Sequence, residues 1–177
     1  MYNKNMNTEN KNQLYGKYLL SVVIVIILAS ILIKSLWNEV EMMLNSGTDR
    51  VKASLITCID GDTAKLNVDG VVQKVRFIAV DTPEIPSNDY YAIEARDYVC
   101  DRLTQGPISL EFDDNSDKFD KYDRMIAWIY IGDTLLQEEI VANGYGKVKY
   151  IYGDYKYVDK LNELQSFAKK SKVGIWR

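Results

Sequence analysis

The sequence predicts an α+β fold, in which a five-stranded Greek-key β-barrel carries three α-helices and follows one N-terminal hydrophobic helix. Three observations predict this class. Short β-type runs separated by Asp-Gly turns begin at Val51, helical periodicity follows the third run, and an uncharged apolar stretch precedes them all. The 177 residues suffice for one such domain and an appendage.

The apolar stretch runs from Tyr18 to Ile33 and is bounded by Lys17 and Lys34. Its length falls between that of a secretory signal and that of a membrane span. No small-residue cleavage site follows it, so we expect an uncleaved transmembrane signal-anchor helix over residues 18–37. A cleaved signal and a secreted protein are the alternative.

Charges around this stretch predict its orientation. Three lysines precede it, whereas the flank that follows it is mixed in charge. The positive-inside rule therefore places a short N-terminus, residues 1–17, in the cytoplasm and the folded domain outside the cell. Residues 38–50 are expected to form a linker to a domain that spans residues 51–177.

The first part of this domain is predicted to be a three-stranded meander. Its strands are expected at Ala53 to Asp60, Ala64 to Val68 and Val71 to Val80. The sequences Asp60-Gly61-Asp62 and Asp69-Gly70 join them and are strong hairpin signals.

The second part alternates helices with two further strands. Apolar residues from Tyr91 to Leu103 recur at helical spacing, and strand-like runs follow at Ile108 to Phe112 and Met125 to Ile131. Further helices are expected from Leu135 to Val141 and from Tyr157 to Ala168. Five strands with a helix after the third suit the OB-fold.

Composition excludes several kinds of chemistry. The chain has no histidine, so Ser-His-Asp triads, His-based zinc sites and imidazole bases are absent. Cys58 and Cys100 have neither the number nor the spacing of a zinc site and are interpreted as packing residues, although one bridge between them is possible in an oxidising compartment.

The predicted domain is slightly acidic, because from Val51 onward it has 17 basic residues and 21 acidic ones. Phosphate chemistry here must therefore rest on a local cluster and a bound cation.

Three carboxylates are candidates for one site. Asp62 lies in the first hairpin, and Asp81 and Glu84 follow the third strand. Asp62 also suits a plain turn, and Thr82-Pro83-Glu84 also suits the start of a helix. If the meander forms, however, all three carboxylates meet at one rim of the barrel. Oxygen ligands without His or Cys favour Ca²⁺ or Mg²⁺.

Arg76 lies on the same strand face as Ile78 and Val80, and it could be an ordinary surface arginine or a residue of the site. Its guanidinium could reach a phosphate near the carboxylates.

The loop Asp113 to Arg124 has five aspartates but does not match an EF-hand, because its sixth and twelfth positions are not Gly and Glu. Tyr150 and Tyr152 could pack in the core or stack on bases.

Taken in order, these motifs closely resemble the thermonuclease family, also called staphylococcal or micrococcal nuclease. The match covers about Val51 to Trp176 and consists of Ile59-Asp60-Gly61-Asp62-Thr63, Val75-Arg76-Phe77-Ile78, Val80-Asp81-Thr82-Pro83-Glu84, Asp120-Lys121-Tyr122-Asp123-Arg124-Met125-Ile126-Ala127-Trp128, Gly146-Lys147-Val148 and Gly174-Ile175-Trp176. The resemblance implies an OB-fold with three helices, one catalytic Ca²⁺, and hydrolysis of DNA and RNA phosphodiesters to 3′-phosphate products.

The resemblance also implies a set of site residues. Asp62 and Asp81 would bind the metal through carboxylates and Thr82 through its backbone carbonyl. Glu84 would activate or orient the attacking water, while Arg76 and Arg124 would bind the phosphate and stabilise its charge. Four residues would hold the substrate, Lys121 and Tyr122 at the terminal phosphate and Tyr150 and Tyr152 by stacking on the nucleotide. The catalytic domain is expected to be monomeric.

Two departures from the family pattern bear on activity. Asp123 stands where the family more often has glycine, which puts a negative charge beside Arg124. The acidic domain predicts weaker and more salt-sensitive substrate binding. The alternatives are a noncatalytic OB-fold module that binds nucleic acid and a structural part of a membrane DNA-handling system, but noncatalytic relatives typically lose the metal and arginine residues that this chain retains.

Overall fold

The computed structural model describes residues 8–45 and 50–177 of the chain. Residues 1–7 of the predicted cytoplasmic segment and residues 46–49 of the predicted linker lie outside the described residues. The chain divides into two compact units with the boundary between Thr48 and Asp49, and each unit is described by itself.

The first unit contains one long helix, α1, from Thr8 to Asn45. Its segment Tyr15–Val40 is 26 residues long and has a mean hydropathy of 2.8. At 1.5 Å per residue this segment is about 39 Å long, which is enough to cross a bilayer. Length and composition alone support this, and a signal sequence near an N-terminus would meet the same criteria. The helix extends beyond the predicted span of residues 18–37 on both sides.

The second unit is built on a barrel of five main strands, which confirms the predicted fold class. The strands are β1 (Val51–Cys58), β2 (Thr63–Val68), β3 (Val71–Phe77), β5 (Ile108–Glu111) and β6 (Met125–Ile131). Their order is β3-β2-β1-β5-β6, and every neighbouring pair is antiparallel. A parallel pairing between β3 and β6 closes the barrel.

Short strands and three helices complete this unit. The short strands are β4 (Val80–Asp81), β7 (Thr134–Leu135) and β8 (Lys147–Val148). The helices are α2 (Ala92–Thr104), α3 (Leu136–Ala142) and α4 (Val158–Ser171), and a 3-10 turn spans Gly174–Trp176. β4 and β8 pair with each other as a separate two-stranded ribbon.

The barrel interior is filled by apolar side chains from facing strands and from all three helices. Trp128, Phe77, Leu66, Leu103 and Ile140 are fully buried there or nearly so. The alternation of apolar residues along β2 and β5 matches this burial, because successive side chains of a strand point to opposite faces. The closed barrel also leaves few unpaired strand edges.

The predicted third strand, Val71 to Val80, is wrong near its end because the strand breaks after Phe77. Ala79 has a left-handed backbone with φ 60°, and a regular strand cannot continue through that conformation. Chain beyond the break forms β4 and pairs with β8 instead of continuing along β2. The break turns Asp81 away from the barrel wall and toward one rim.

Cys58 and Cys100 form a disulfide, so their interpretation as two separate packing residues is wrong. Their Cα atoms lie 5.8 Å apart, and 42 positions separate them in the sequence. The bridge joins the end of β1 to α2, immediately before the turn that holds Asp62. This helix therefore has both a covalent and a packing connection to the barrel.

Candidate active site

The β1–β2 turn brings Asp62 into the interior of the rim. Asp60 closes the turn, since its Oδ1 accepts a hydrogen bond of 3.0 Å from the Asp62 backbone N–H. Burial raises the pKa of the Asp60 carboxyl. A Cβ atom on Gly61 would lie 2.9 Å from the Thr82 side chain and 3.0 Å from Ala95, so this approach requires glycine. Asp62 is consequently only 1% exposed.

The carboxylate of Asp62 has several partners in this structure. The Thr82 N–H donates to its Oδ2 over 2.8 Å, and the Thr82 hydroxyl donates to the same oxygen over 3.2 Å. Thr63 donates to Oδ1 over 3.0 Å, and the guanidinium of Arg76 contacts Oδ1 directly. These bonds fix Asp62 and Thr82 next to each other, as the sequence predicted.

Arg76 lies at the centre of the rim and is 9% exposed. Besides Asp62, its guanidinium contacts the Val80 carbonyl at 2.9 Å and Asp81 Oδ1 at 3.6 Å. Burial lowers its pKa first, and the nearby Arg124 lowers it further. A buried arginine held by two carboxylates is rigid, and its planar fork is suited to phosphate oxygens.

Asp81 makes a second ion pair with Lys149, a residue that the sequence analysis did not select. Lys149 Nζ donates to Asp81 Oδ2 over 2.9 Å and lies 4.7 Å from the centroid of the Tyr150 ring. The hydrogen bond to Asp81 raises the pKa of Lys149. Asp81 thus contacts Arg76 through one oxygen and Lys149 through the other.

Glu84 lies in an irregular turn and not at a helix start, because α2 begins only at Ala92. The Glu84 N–H donates to Asp89 Oδ2 over 3.0 Å, and the Asp89 N–H donates back to the Glu84 carbonyl over 3.2 Å. This reciprocal pair closes the turn and leaves the Glu84 residue exposed. The alternative interpretation of Thr82-Pro83-Glu84 as a helix start is therefore wrong.

Arg124 is oriented by Asp120. The two side chains pair at 2.6 Å, and Asp120 also accepts backbone N–H bonds of 2.9 Å from Tyr122 and Arg124. Burial alone would raise the Asp120 pKa, but the hydrogen bonds from Arg124 and Tyr122 outweigh burial and lower it. Asp123 completes the turn with φ 61°, a left-handed conformation that glycine adopts most easily.

The parallel β3–β6 pairing brings Arg76 and Arg124 to the same rim. Arg76 is opposite Ile126 in the register, and Arg124 directly precedes Met125 at the start of β6. Residues about fifty positions apart in the sequence are thereby fixed as neighbours by backbone hydrogen bonds.

A cavity of about 840 Å³ opens at this rim. Eight of the ten predicted site residues line it: Arg76, Asp81, Glu84, Lys121, Tyr122, Arg124, Tyr150 and Tyr152. Asp62 lines a second cavity of about 350 Å³ together with Glu84 and Arg124. Thr82 lies behind both and is bonded to Asp62. The structure therefore gathers all ten residues in one region of the barrel.

Aromatic side chains form part of the wall of the large cavity. Tyr150 is 47% exposed and Tyr152 is 83% exposed, so neither belongs to the core. Tyr150 has φ 59°, which is unusual for a bulky residue. Tyr122 and Phe119 are also exposed there. Exposed rings around a cavity can stack on planar ligands.

The acidic loop is attached to the barrel through Asp113 and Asn115. Asp113 is 7% exposed and accepts hydrogen bonds of 2.9 Å from Trp128 Nε1 and 2.9 Å from the Lys156 N–H. Asn115 bonds the Asp154 carbonyl over 2.7 Å. Asp113 and Asn115 thus fasten this loop to the barrel and to the segment before α4.

Oxygen ligands at the rim fit a hard divalent cation. Asp62 and Asp81 contact the same guanidinium, so both carboxylates border one space. Within residues 8–45 and 50–177, no group of three or more Asp, Glu or Cys side chains is arranged to hold a metal. Two carboxylates would therefore need the Thr82 carbonyl and water to complete the coordination shell.

Fold and site together define an OB-type barrel whose rim combines carboxylates, two guanidinium groups and exposed tyrosines. Residues 74–177 match the protein family described as "Staphylococcal nuclease homologue". The chain belongs to this family.

Similarity to individual proteins supports the same family assignment. The thermonuclease of Staphylococcus hyicus is 34% identical over 126 residues, which are 69% of this chain and 73% of the relative. The SPbeta prophage-derived endonuclease YokF of Bacillus subtilis (strain 168) is 33% identical over 131 residues, and endonuclease YncB of the same strain is 34% identical over 131 residues. The match covers 71% of this chain in both cases, but only 44% of YokF and 62% of YncB.

Two elements of the site carried no clear sequence signal. Lys149 differs little in the sequence from the nearby Lys147, and only the β4–β8 pairing distinguishes them. Asp120 begins the motif that runs to Trp128, but its contact with Arg124 depends on a turn whose shape the sequence does not specify. A carboxylate four residues before a selected arginine could have indicated this second role.

Proposed function

We propose that this chain is a calcium-dependent nuclease that hydrolyses phosphodiester bonds of DNA, RNA or both by water attack. The observation that carries the proposal is the shared cavity in which Arg76 and Arg124 stand beside Asp81 and Glu84. Relatives named thermonuclease and endonuclease support this activity. A noncatalytic module would not need to keep this combination of charged residues.

The two arginines bind the scissile phosphate in this proposal. Arg76 is held by the buried Asp62 and the Val80 carbonyl, and Arg124 by Asp120, so both guanidinium groups are positioned before substrate arrives. Fixed cations of this kind stabilise charge that develops on phosphate oxygens, and one such donor is worth roughly 3 kcal/mol in comparable sites.

Glu84 orients or activates the attacking water. It is the predicted site carboxylate that does not pair with a lysine or arginine within the described residues, and it lines both cavities. Because the chain has no histidine, a carboxylate is the natural acceptor for the proton of that water.

Asp62, Asp81 and the Thr82 carbonyl are the proposed metal ligands. When bound, Ca²⁺ supplies Lewis acidity and charge neutralisation at the phosphate. Asp62 would give up its contact with Arg76 to bind the metal, while the Val80 carbonyl would still hold the Arg76 guanidinium at the rim.

Lys121 and Tyr122 are proposed to hold the terminal phosphate, and Tyr150 and Tyr152 to stack on the nucleotide. Lys121 Nζ lies 5.0 Å from the Tyr122 ring centroid, so charge and ring face the same part of the cavity. Stacking on aromatic rings tolerates any base. A cleft of this composition suits single-stranded substrate or frayed ends.

The proposed location of the domain is the outer face of the cell membrane, with α1 as an uncleaved anchor over residues 18–37 and residues 38–50 as the linker. The apolar segment Tyr15–Val40 supports an anchor. The disulfide supports an oxidising compartment. Calcium is also abundant outside cells, where a site of low affinity suffices. Release after signal cleavage is the alternative.

Activity is tested with the full chain in mild detergent on DNA and RNA, with Ca²⁺ or with a chelator. We expect Glu84→Gln to lower kcat by roughly a hundredfold or more, because a positioned base contributes that much. Glu94→Gln, which removes the same charge from an exposed position of α2, is the matched control. Equal activity of Glu84→Gln and the unmodified chain would refute the assignment.

Location is tested by adding protease to intact spheroplasts that express the full chain. We expect the domain to be digested without lysis. Protection until the membrane is broken would contradict the proposed orientation, and recovery of a shortened chain in the medium would favour signal cleavage.

A further inference from the structure

Lys149 is held in place by backbone contacts that flank it. Its N–H donates to the Ala79 carbonyl over 3.1 Å, and the preceding Val148 pairs with Val80. The following residue, Tyr150, turns the chain with its positive φ. The lysine therefore projects from a fixed backbone position toward Asp81.

Its ammonium pairs with the carboxylate, although the Lys149 side chain is 51% exposed. Nζ is 2.9 Å from Asp81 Oδ2, while Asp81 Oδ1 lies 3.6 Å from Arg76. Asp62 is likewise paired with Arg76. The two carboxylates proposed to bind metal thus already face two cationic side chains.

Lys147, in β8, provides a built-in comparison. It has the same charge and lies two residues earlier, but its Nζ is directed to the Trp176 ring, 5.9 Å from the centroid. Lys147 pairs with Asp81 only through the backbone. If any positive charge near β8 changed the affinity for a divalent cation, both lysines would do so. If the change required an ion pair with Asp81, only Lys149 would do so.

We propose that Lys149 is a fixed counter-charge that lowers the affinity of the Asp81 carboxylate for a divalent cation. The inference rests on the proposed function, since it concerns the same metal site. A cation bound to the other oxygen of Asp81 would lie about 5 Å from Nζ, given ordinary Ca²⁺–oxygen distances. At that separation, repulsion in water weakens binding about fivefold at physiological ionic strength. Lys149 thereby sets the site to respond to calcium at high concentration.

The decisive experiment measures Ca²⁺ affinity by isothermal titration calorimetry on the full chain in mild detergent, without nucleic acid. Lys149→Gln keeps a hydrogen-bond donor beside Asp81 but removes the charge, and Lys149→Met removes both. We expect Ca²⁺ to bind about fivefold more tightly to each variant in 0.15 M KCl. The gain should shrink in 1 M KCl, where charges are screened within about 3 Å.

Two controls separate charge from position. Lys149→Arg should bind Ca²⁺ as the unmodified chain does, and Lys147→Gln should change the affinity less than twofold. Thermal unfolding without metal confirms that each variant is folded, and the upward shift of its midpoint with added Ca²⁺ is an independent measure of affinity.

The outcomes distinguish the inference from the proposed function. Unchanged or weaker Ca²⁺ binding by Lys149→Gln, in a chain whose hydrolysis requires calcium, would overturn the role of Lys149 alone. Weaker binding would mean that the lysine orients Asp81 for the metal, and unchanged binding would mean that it has no effect on the site. Absence of saturable Ca²⁺ binding to the unmodified chain, together with hydrolysis in chelator, would overturn both.

Discussion

Reduction of the Cys58–Cys100 disulfide should destabilise the folded domain. The bridge ties the end of β1 to α2, and Ala95 of this helix packs against the turn at Gly61. The perturbation is treatment with a reductant, or the double substitution Cys58→Ala and Cys100→Ala, which removes the crosslink permanently.

The expected loss follows from the length of the loop that the bridge closes. With 42 positions between the cysteines, the entropy of the unfolded chain changes by an amount equivalent to about 4 kcal/mol at 25 °C. Native domains typically lose about 2 to 5 kcal/mol when such a bridge is removed, so the two estimates agree.

Equilibrium unfolding in guanidinium chloride, followed by circular dichroism, measures this loss. The midpoint should fall by roughly 1 M, because a domain of this size loses about 5 kcal/mol of stability per molar guanidinium. Reductant should have no effect on the double alanine variant, which is the control for other actions of the reagent.

The reasoning would be refuted if the midpoint of the oxidised chain did not change on reduction. Free thiols at both positions in the untreated folded chain would refute the bridge itself. If the reduced chain and the double variant unfolded at different midpoints, the loss would belong to side-chain packing and not to loop closure.

Further predictions concern the turn around Arg124 and the charge of the cavity. Asp120→Asn should lower kcat by roughly ten- to a hundredfold while Asp117→Asn does not, because misplacement of a positioned group costs about that much; equal kcat values would contradict the positioning role. The pKa of Asp120 is lowered from 3.8, so its ionised form stabilises the fold above that pH, and this stabilisation is lost as the pH falls below it. In Asp120→Asn, the free energy of unfolding should therefore decrease less as the pH is lowered. Asp123→Gly should raise the free energy of unfolding by about 1 kcal/mol, since φ is 61° there, whereas Asp123→Asn, which keeps the side-chain shape, should not. Binding of a short single-stranded DNA in calcium should weaken with KCl with a logarithmic slope of about 2, as three phosphate contacts predict, and a slope near zero would exclude phosphate contacts by Arg76, Lys121 and Arg124.

The sequence predicted the barrel and its helices because local patterns determine them. Alternating burial in β2 and Asp-Gly turns locate the meander, and apolar spacing locates α2 and α4. The order of the motifs that resemble the thermonuclease family then indicated which residues form the candidate site. Their convergence at the rim depends on the register of β3 with β6, and no local pattern encodes that pairing.

What the sequence did not predict depends on contacts between distant residues. The third strand ends early because Ala79 takes a left-handed conformation, although alanine has no preference for it. Cys58 and Cys100 pair because α2 packs across the end of β1. Lys149 reaches Asp81 only because β8 pairs with β4.

The pairing of β3 with β6, which closes the barrel, also determines when the two arginines of the site come together. Arg76 and Arg124 become neighbours only when β3 and β6 pair, so the unfolded chain does not hold the two guanidinium groups together. Under the proposed function, the two arginines would therefore bind a phosphate together only after the domain has folded.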